Sequence, residues 1–217
     1  MNRKLHQGTL AERFGHLRDV ISSQRFLEMR GLNSDLPFYI CEFNASEAFE
    51  IERMRKQLVN TLAGLHVPCL GGRGIKVLEI NLYDLTVGML KAREGSGEGG
   101  LWEEIVAVEP DVEKDALKEL LQNVLDVREH LIPEIGKLLQ GNDHDVLFLS
   151  GIGEVFPYIR SHNVLNNLQS TAKDKPTVMF FPGEYQHSLE QGASLNLFGK
   201  LHDDKYYRAF NIFEIQA

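Results

Sequence analysis

Two continuous apolar runs, VLFL at 146–149 and TVMFF at 177–181, constrain what this chain can fold into more than any other feature. A half-exposed strand alternates polar with apolar side chains. These runs do not alternate; they are rich in β-branched and aromatic residues and are bounded by Gly151 and Pro176. Runs of this kind fit strands covered on both faces, as in a parallel sheet between two layers of helices. Between them, Val164, Leu165 and Leu168 recur at helical spacing over 161–169, which completes a strand–helix–strand unit. The loops 151–157 and 182–185 should then leave the same carboxyl edge of the sheet, where open α/β folds bind ligands. Glu154 and Glu184 are expected there as neighbours or near neighbours.

The rest of the chain extends that unit. Leu10, Phe14, Leu17 and Ile21 keep helical spacing and predict an amphipathic helix over about 9–30. A first strand is expected at 37–42, then a helix opened by Asn44 and Glu47 that carries Ile51, Met54, Leu58 and Leu62 on one face. A second strand at 75–80 leads into a helix over 81–93, and GEGG at 97–100 marks a surface loop. Further helices are expected from Asp111 to about Val124 and from Pro133 to Gly141, the latter two inside a helical insertion spanning about 101–141. A last strand is expected near 207–213. The fold class is therefore α/β: a mostly parallel sheet of four to five strands flanked by helices. It is a three-layer, Rossmann-like or P-loop-like arrangement without a Walker A loop, with an N-terminal helix and a helical insertion. No repeat or linker interrupts the pattern, so residues 1–217 read as one α/β domain.

Charge and motif spacing exclude several chemistries. With 23 basic against 31 acidic residues, the net charge is −8, opposite to the surplus a general nucleic-acid binder carries. Cys41 and Cys69 belong to no metal-ligand pattern and read as reduced, buried residues. No apolar run reaches the 18 or so residues a membrane span needs, and MNRKLHQG has no signal-peptide core, so a cytoplasmic protein is expected.

A phosphate-cradling loop follows a strand and opens a helix. GGRG at 71–74 precedes its strand, and GSGEGG at 95–100 follows a helix. Gly151 and Gly153 are correctly placed, but Phe156 stands where a third glycine of a dinucleotide fingerprint is required. After the first strand the chain has Glu42 and Glu47, which repel a triphosphate.

Carboxylates at strand ends offer the alternative chemistry. Asp84, Glu154 and Glu184 are hard oxygen ligands of the type a divalent ion takes, and would support a metal-dependent hydrolase or nuclease. The plain structural alternative, that each caps a helix or pairs with Arg160 or Arg208, is preferred, so no metal and no cofactor are expected. His162 sits at a helix start without a nucleophile to activate; Ser161 or Asn163 is expected to cap that helix. Tyr206, Tyr207 and Arg208 have the composition of an interface hot spot or of a strand tucking aromatics onto a core. Catalytic residues are not assigned. The interaction candidates are Glu154, Arg160, His162, Asn163, Glu184, Tyr185, Tyr206, Tyr207 and Arg208.

GIGEVFPYIRSHNVLNNLQ at 151–169, VMFFPGEY at 178–185, LNLFGKLHDDKYYRAFN at 195–211 and VLEINLYDL at 77–85 together resemble the BrxB family of bacterial BREX phage-defence systems. The resemblance runs from about Leu17 to Asn211 and includes HLRDVISSQRFLEMRGL and PFYI near the N-terminus. It implies a cytoplasmic protein encoded beside a BREX methyltransferase, a large ATPase, a Lon-like protease and PglZ, a relative of alkaline phosphatases. It also implies a part in restricting phage and in the methylation that marks host DNA. Other BREX proteins are the implied partners, PglZ first among them, and no nucleic acid or membrane is expected. No catalytic residues carry over. Residues 186–193 form an insertion-like link where the family pattern suggests a shorter one.

Overall fold

The computed structural model describes residues 8–30, 37–95, 99–188, 192–199, 201–204 and 209–216. Helix α1 (Leu10–Ser22) begins in a capping box, in which Thr9 accepts from the Glu12 N–H while the Glu12 carboxylate accepts from the Thr9 N–H. The single helix expected over 9–30 is broken at Ser23. Its hydroxyl donates to the Val20 carbonyl at 2.7 Å and accepts from the Phe26 N–H at 3.3 Å, so it closes α1 and opens α2 (Gln24–Leu27). Strand β1 (Phe38–Phe43) follows, then α3 (Ala48–Ala63). Asn44 and Glu47 do form a capping box, over the short 3-10 turn that leads into α3.

Strand β2 (Val77–Asn81) runs directly into α4 (Leu82–Ala92), whose first N–H groups are held by the Asn81 side chain. The insertion comprises α5 (Leu101–Val108), α6 (Lys114–Val124) and α7 (Ile132–Gly141), with Pro133 in the first turn of α7. The helix expected from Asp111 starts at Lys114 because Pro110 closes a separate 3-10 turn over Glu109–Asp111. Strand β3 (Val146–Ser150), α8 (Ser161–Leu168) and β4 (Thr177–Ser188) complete the strand–helix–strand unit.

Among the described residues five strands are parallel, in the order β2-β3-β4-β1-β7, with β7 formed by Phe210–Asn211. Their side chains divide strictly by parity. Phe38, Ile40, Leu147, Leu149, Met179 and Phe181 enter one core, under α4–α8. Tyr39, Cys41, Val146, Phe148, Val178 and Phe180 enter the other, under α1–α3. Burying each such large side chain stabilises the fold by about 1.5–3 kcal/mol, which is why both runs are apolar throughout.

The outer half of β4 departs from the expectation of a loop at 182–185. It continues as strand and pairs antiparallel with β5 (Gly192–Leu197), which pairs in turn with β6 (Leu201–Asp204). Residues 186–188, part of the expected insertion-like link, belong to that strand. Gly183 makes the hairpin possible. A Cβ there would meet the Asn196 carbonyl oxygen at 2.2 Å.

Candidate functional site

The connections out of the sheet locate the site. After β1 the chain passes to α3 on one face; after β3 it passes to α8 on the other, with β4 between them. Two adjacent connections that leave to opposite faces open a crevice above the carboxyl ends of the strands. A cleft of about 350 Å³ lies there, bordered by the 150–154 loop, Pro182, Asn81 and the first turns of α3. A second cleft of about 440 Å³ lies beside it, bordered by Glu42, Asn44, Glu47, Gly183 and Glu184. Phe198 lines both.

Phe198 is held in an unusual pose. It sits at the β5–β6 turn with φ 56°, and its N–H donates to the Pro182 carbonyl at 2.8 Å. The ring approaches Gly153 so closely that a Cβ at that glycine would lie 2.8 Å from it. Gly153 therefore leaves room for an aromatic ring from the hairpin. Phe49, on the first turn of α3, also lines the first cleft, with 82% of its surface exposed.

The polar groups of the first cleft are unevenly satisfied. Arg55, buried on α3, forms an ion pair with Glu79 of β2; burial lowers its pKa, opposed by the charges of Glu52, Glu154 and Asp84. Glu52 pairs with Lys56 at 2.6 Å. Glu154 has its pKa raised by desolvation first, then by the negative charges of Asp84 and Glu52, with Arg55 pulling the other way. Among the described residues, Asp84 and Glu154 form no ion pair. Ser150 is 8% exposed, and its Oγ has no hydrogen-bond partner among the described residues.

The sequence candidates separate into distinct settings. Glu154 and Asp84 come within electrostatic range of one another, whereas the exposed Glu184 borders the second cleft, opposite Asn196 in the hairpin register. Among the described residues there is no group of three or more His, Cys, Asp or Glu side chains placed to hold a metal ion. Arg160 and Asn163 are exposed at the start of α8. The expected cap by Ser161 or Asn163 is not formed: Arg160 is the N-cap residue, no side chain among the described residues caps the helix, and Ser161 is buried. His162 is 1% exposed and packs inward, so its ring presents no surface to a partner. Tyr185 is also buried; its hydroxyl donates to the Ala209 carbonyl at 2.6 Å, and burial pushes its pKa up to about 12. Tyr206, Tyr207 and Arg208 lie outside the described residues.

Phe49, Phe198, Arg55 and Ser150 are the site residues that sequence reading passes over. Phe49 had a signal, an aromatic lying off the Ile51–Met54–Leu58–Leu62 stripe of its own helix. Phe198 had another: Leu195, Leu197 and Leu201 alternate on either side of Phe-Gly-Lys, a hairpin pattern.

No solved structure matches the chain. The family model described as BREX protein BrxB matches residues 78–212. A Bacillus cereus (strain H3081.97) protein named BREX protein BrxB is 30% identical over 210 residues, covering 94% of this chain and 97% of that one. A second protein of that name, from Escherichia coli O9:H4 (strain HS), is 26% identical over 203 residues, covering 94% of this chain and 91% of its own length. These matches embrace the sheet, both clefts and the hairpin, and on them the chain belongs to the BrxB family of BREX proteins.

Proposed function

We propose that this chain is a non-enzymatic interaction subunit of a BREX anti-phage complex, holding PglZ or another BREX protein at the carboxyl edge of its sheet. Membership of the BrxB family carries a role in phage defence. Through the bound partner the subunit supports phage restriction and host-DNA methylation. The observation that carries this reading is the pair of aromatic side chains at the edge, Phe49 with 82% and Phe198 with 39% of its surface exposed. Large apolar side chains gathered at one concave edge favour burial against another protein. The loops around them serve internal contacts, Gly153 seating Phe198 and Asn81 capping α4.

The experiment is affinity purification of the tagged full-length chain from cells carrying its whole BREX operon. Retention of PglZ, or of one other BREX protein, in fixed stoichiometry is the expected outcome. A chain that emerges alone at low and moderate salt contradicts the proposal.

A further inference from the structure

Charge, ring placement and one orphaned hydroxyl at the first cleft select the chemistry of what fills it. Among the described residues, Arg55, which lines the cleft, pairs with Glu79, and Lys56 pairs with Glu52. Glu154 lines the cleft with its negative charge only partly offset by Arg55, Asp84 lies within electrostatic range of it, and Glu184 borders the adjoining cleft that Phe198 also lines. Phe49 and Phe198 line the same cleft and offer ring faces and apolar area. Ser150 also lines it and lies on the α3 side of β3, by the same parity that sends Val146 and Phe148 there. Its buried Oγ lacks a partner among the described residues. A buried hydroxyl left unsatisfied costs about 1–3 kcal/mol, so an N–H donor entering the cleft recovers that loss.

Resting on the interaction reading above, we propose that the first cleft receives an arginine side chain from a basic segment of the partner protein. The planar guanidinium suits this cleft for three reasons. Its stem and face pack on Phe49 and Phe198, by apolar contact and cation–π attraction. Its N–H groups donate to the Glu154 carboxylate, with Asp84 adding long-range attraction. One further N–H donates to Ser150 Oγ. Lysine, a compact point charge, makes the ion pair but lacks the stacking plane. A cleft of about 350 Å³ is larger than one side chain, which leaves room for backbone on either side of the arginine.

The test replaces Phe49 by the photoreactive analogue benzoyl-phenylalanine in the full-length chain, produced with the other proteins of its BREX system, and identifies the cross-linked peptides by mass spectrometry. The expected result is a cross-link to an arginine-containing segment of another BREX protein. Its yield should fall about fivefold or more with Asp84→Asn/Glu154→Gln, whose folding is checked by circular dichroism, and should fall also with rising salt. A cross-link to a segment without basic residues, to a second copy of this chain or to nucleic acid overturns the arginine proposal. If the BREX partner is still retained in those cases, the interaction reading survives alone. No cross-link from position 49 also overturns it, and joined to loss of co-purification it removes both.

Discussion

The Glu42 carboxylate accepts the Tyr185 backbone N–H at 2.7 Å, tying the end of β1 to the outer half of β4 across 143 positions of sequence. Its other oxygen accepts from Asn211 Nδ2 at 2.7 Å, and Asn211 in turn accepts the Phe213 N–H at 3.0 Å. One buried carboxylate thus fixes β1, β4 and β7 at the edge where both clefts open. Glu42→Leu leaves two donors unsatisfied in the interior, a loss of about 2–6 kcal/mol at 1–3 kcal/mol for each. The urea midpoint should drop accordingly, with a smaller drop for Glu42→Gln, which keeps an acceptor. An unchanged midpoint for Glu42→Leu contradicts the clamp.

Asp145 holds the opposite edge of the sheet. It accepts from Arg73 at 2.6 and 2.8 Å and from the Lys76 N–H at 2.8 Å. Burial alone would raise its pKa; the bonds to Arg73 and Lys76 outweigh that and hold it below the ordinary aspartate range. A folded pKa below the unfolded one gives stability present above the unfolded value and lost as pH falls through the folded value. Asp145→Asn should therefore lower Tm at neutral pH and flatten the loss of Tm on acidification. Parallel acid limbs for the two proteins count against this role.

Glu154 titrates in the other direction. Desolvation and the Asp84 and Glu52 charges raise its folded pKa, so its contribution is favourable below that value and is lost as pH rises through it. Glu154→Gln is expected to raise Tm at about pH 7 and to change it little at about pH 3.5, below the ordinary glutamate range. A lower Tm for the variant at neutral pH shows that Glu154 is paired rather than repelled.

Phe198 separates folding from function. Its left-handed backbone costs about 1 kcal/mol or more for a residue with a Cβ, a cost that glycine avoids. Phe198→Gly should therefore keep thermal stability close to wild type while opening one cleft into the other and reducing retention of the BREX partner. Full retention by this variant removes Phe198 from the interface.

Much of the fold is legible in the sequence because burial on both faces leaves a strong signal. The 146–149 and 177–181 runs, the helix stripe from Ile51 to Leu62 and the turn at Asn44 correspond to β3, β4, α3 and its leading cap. The hairpin was hidden because 182–185 changes from parallel to antiparallel pairing in mid-strand, and the glycine that permits the change looks like a loop glycine. The carboxyl edge expected to carry the candidate site is where both clefts open. Glu154 and Glu184, expected together at that edge, border separate clefts that Phe198 lines in common, and Glu42, a repulsive charge by sequence, is a buried hydrogen-bond hub. His162 and Tyr185 are polar by composition and buried by position, a distinction that needs the packing of α8 and β4.

Whether the aromatic edge holds another BREX protein is decided by comparing tagged wild-type chain with Phe49→Ser after purification from cells carrying the whole operon. Phe49 is 82% exposed, so its replacement should leave the fold and Tm unchanged. Wild type is expected to retain a BREX protein, PglZ first, and Phe49→Ser to lose most of it together with phage restriction. Equal retention and full restriction by Phe49→Ser would contradict a role for this edge.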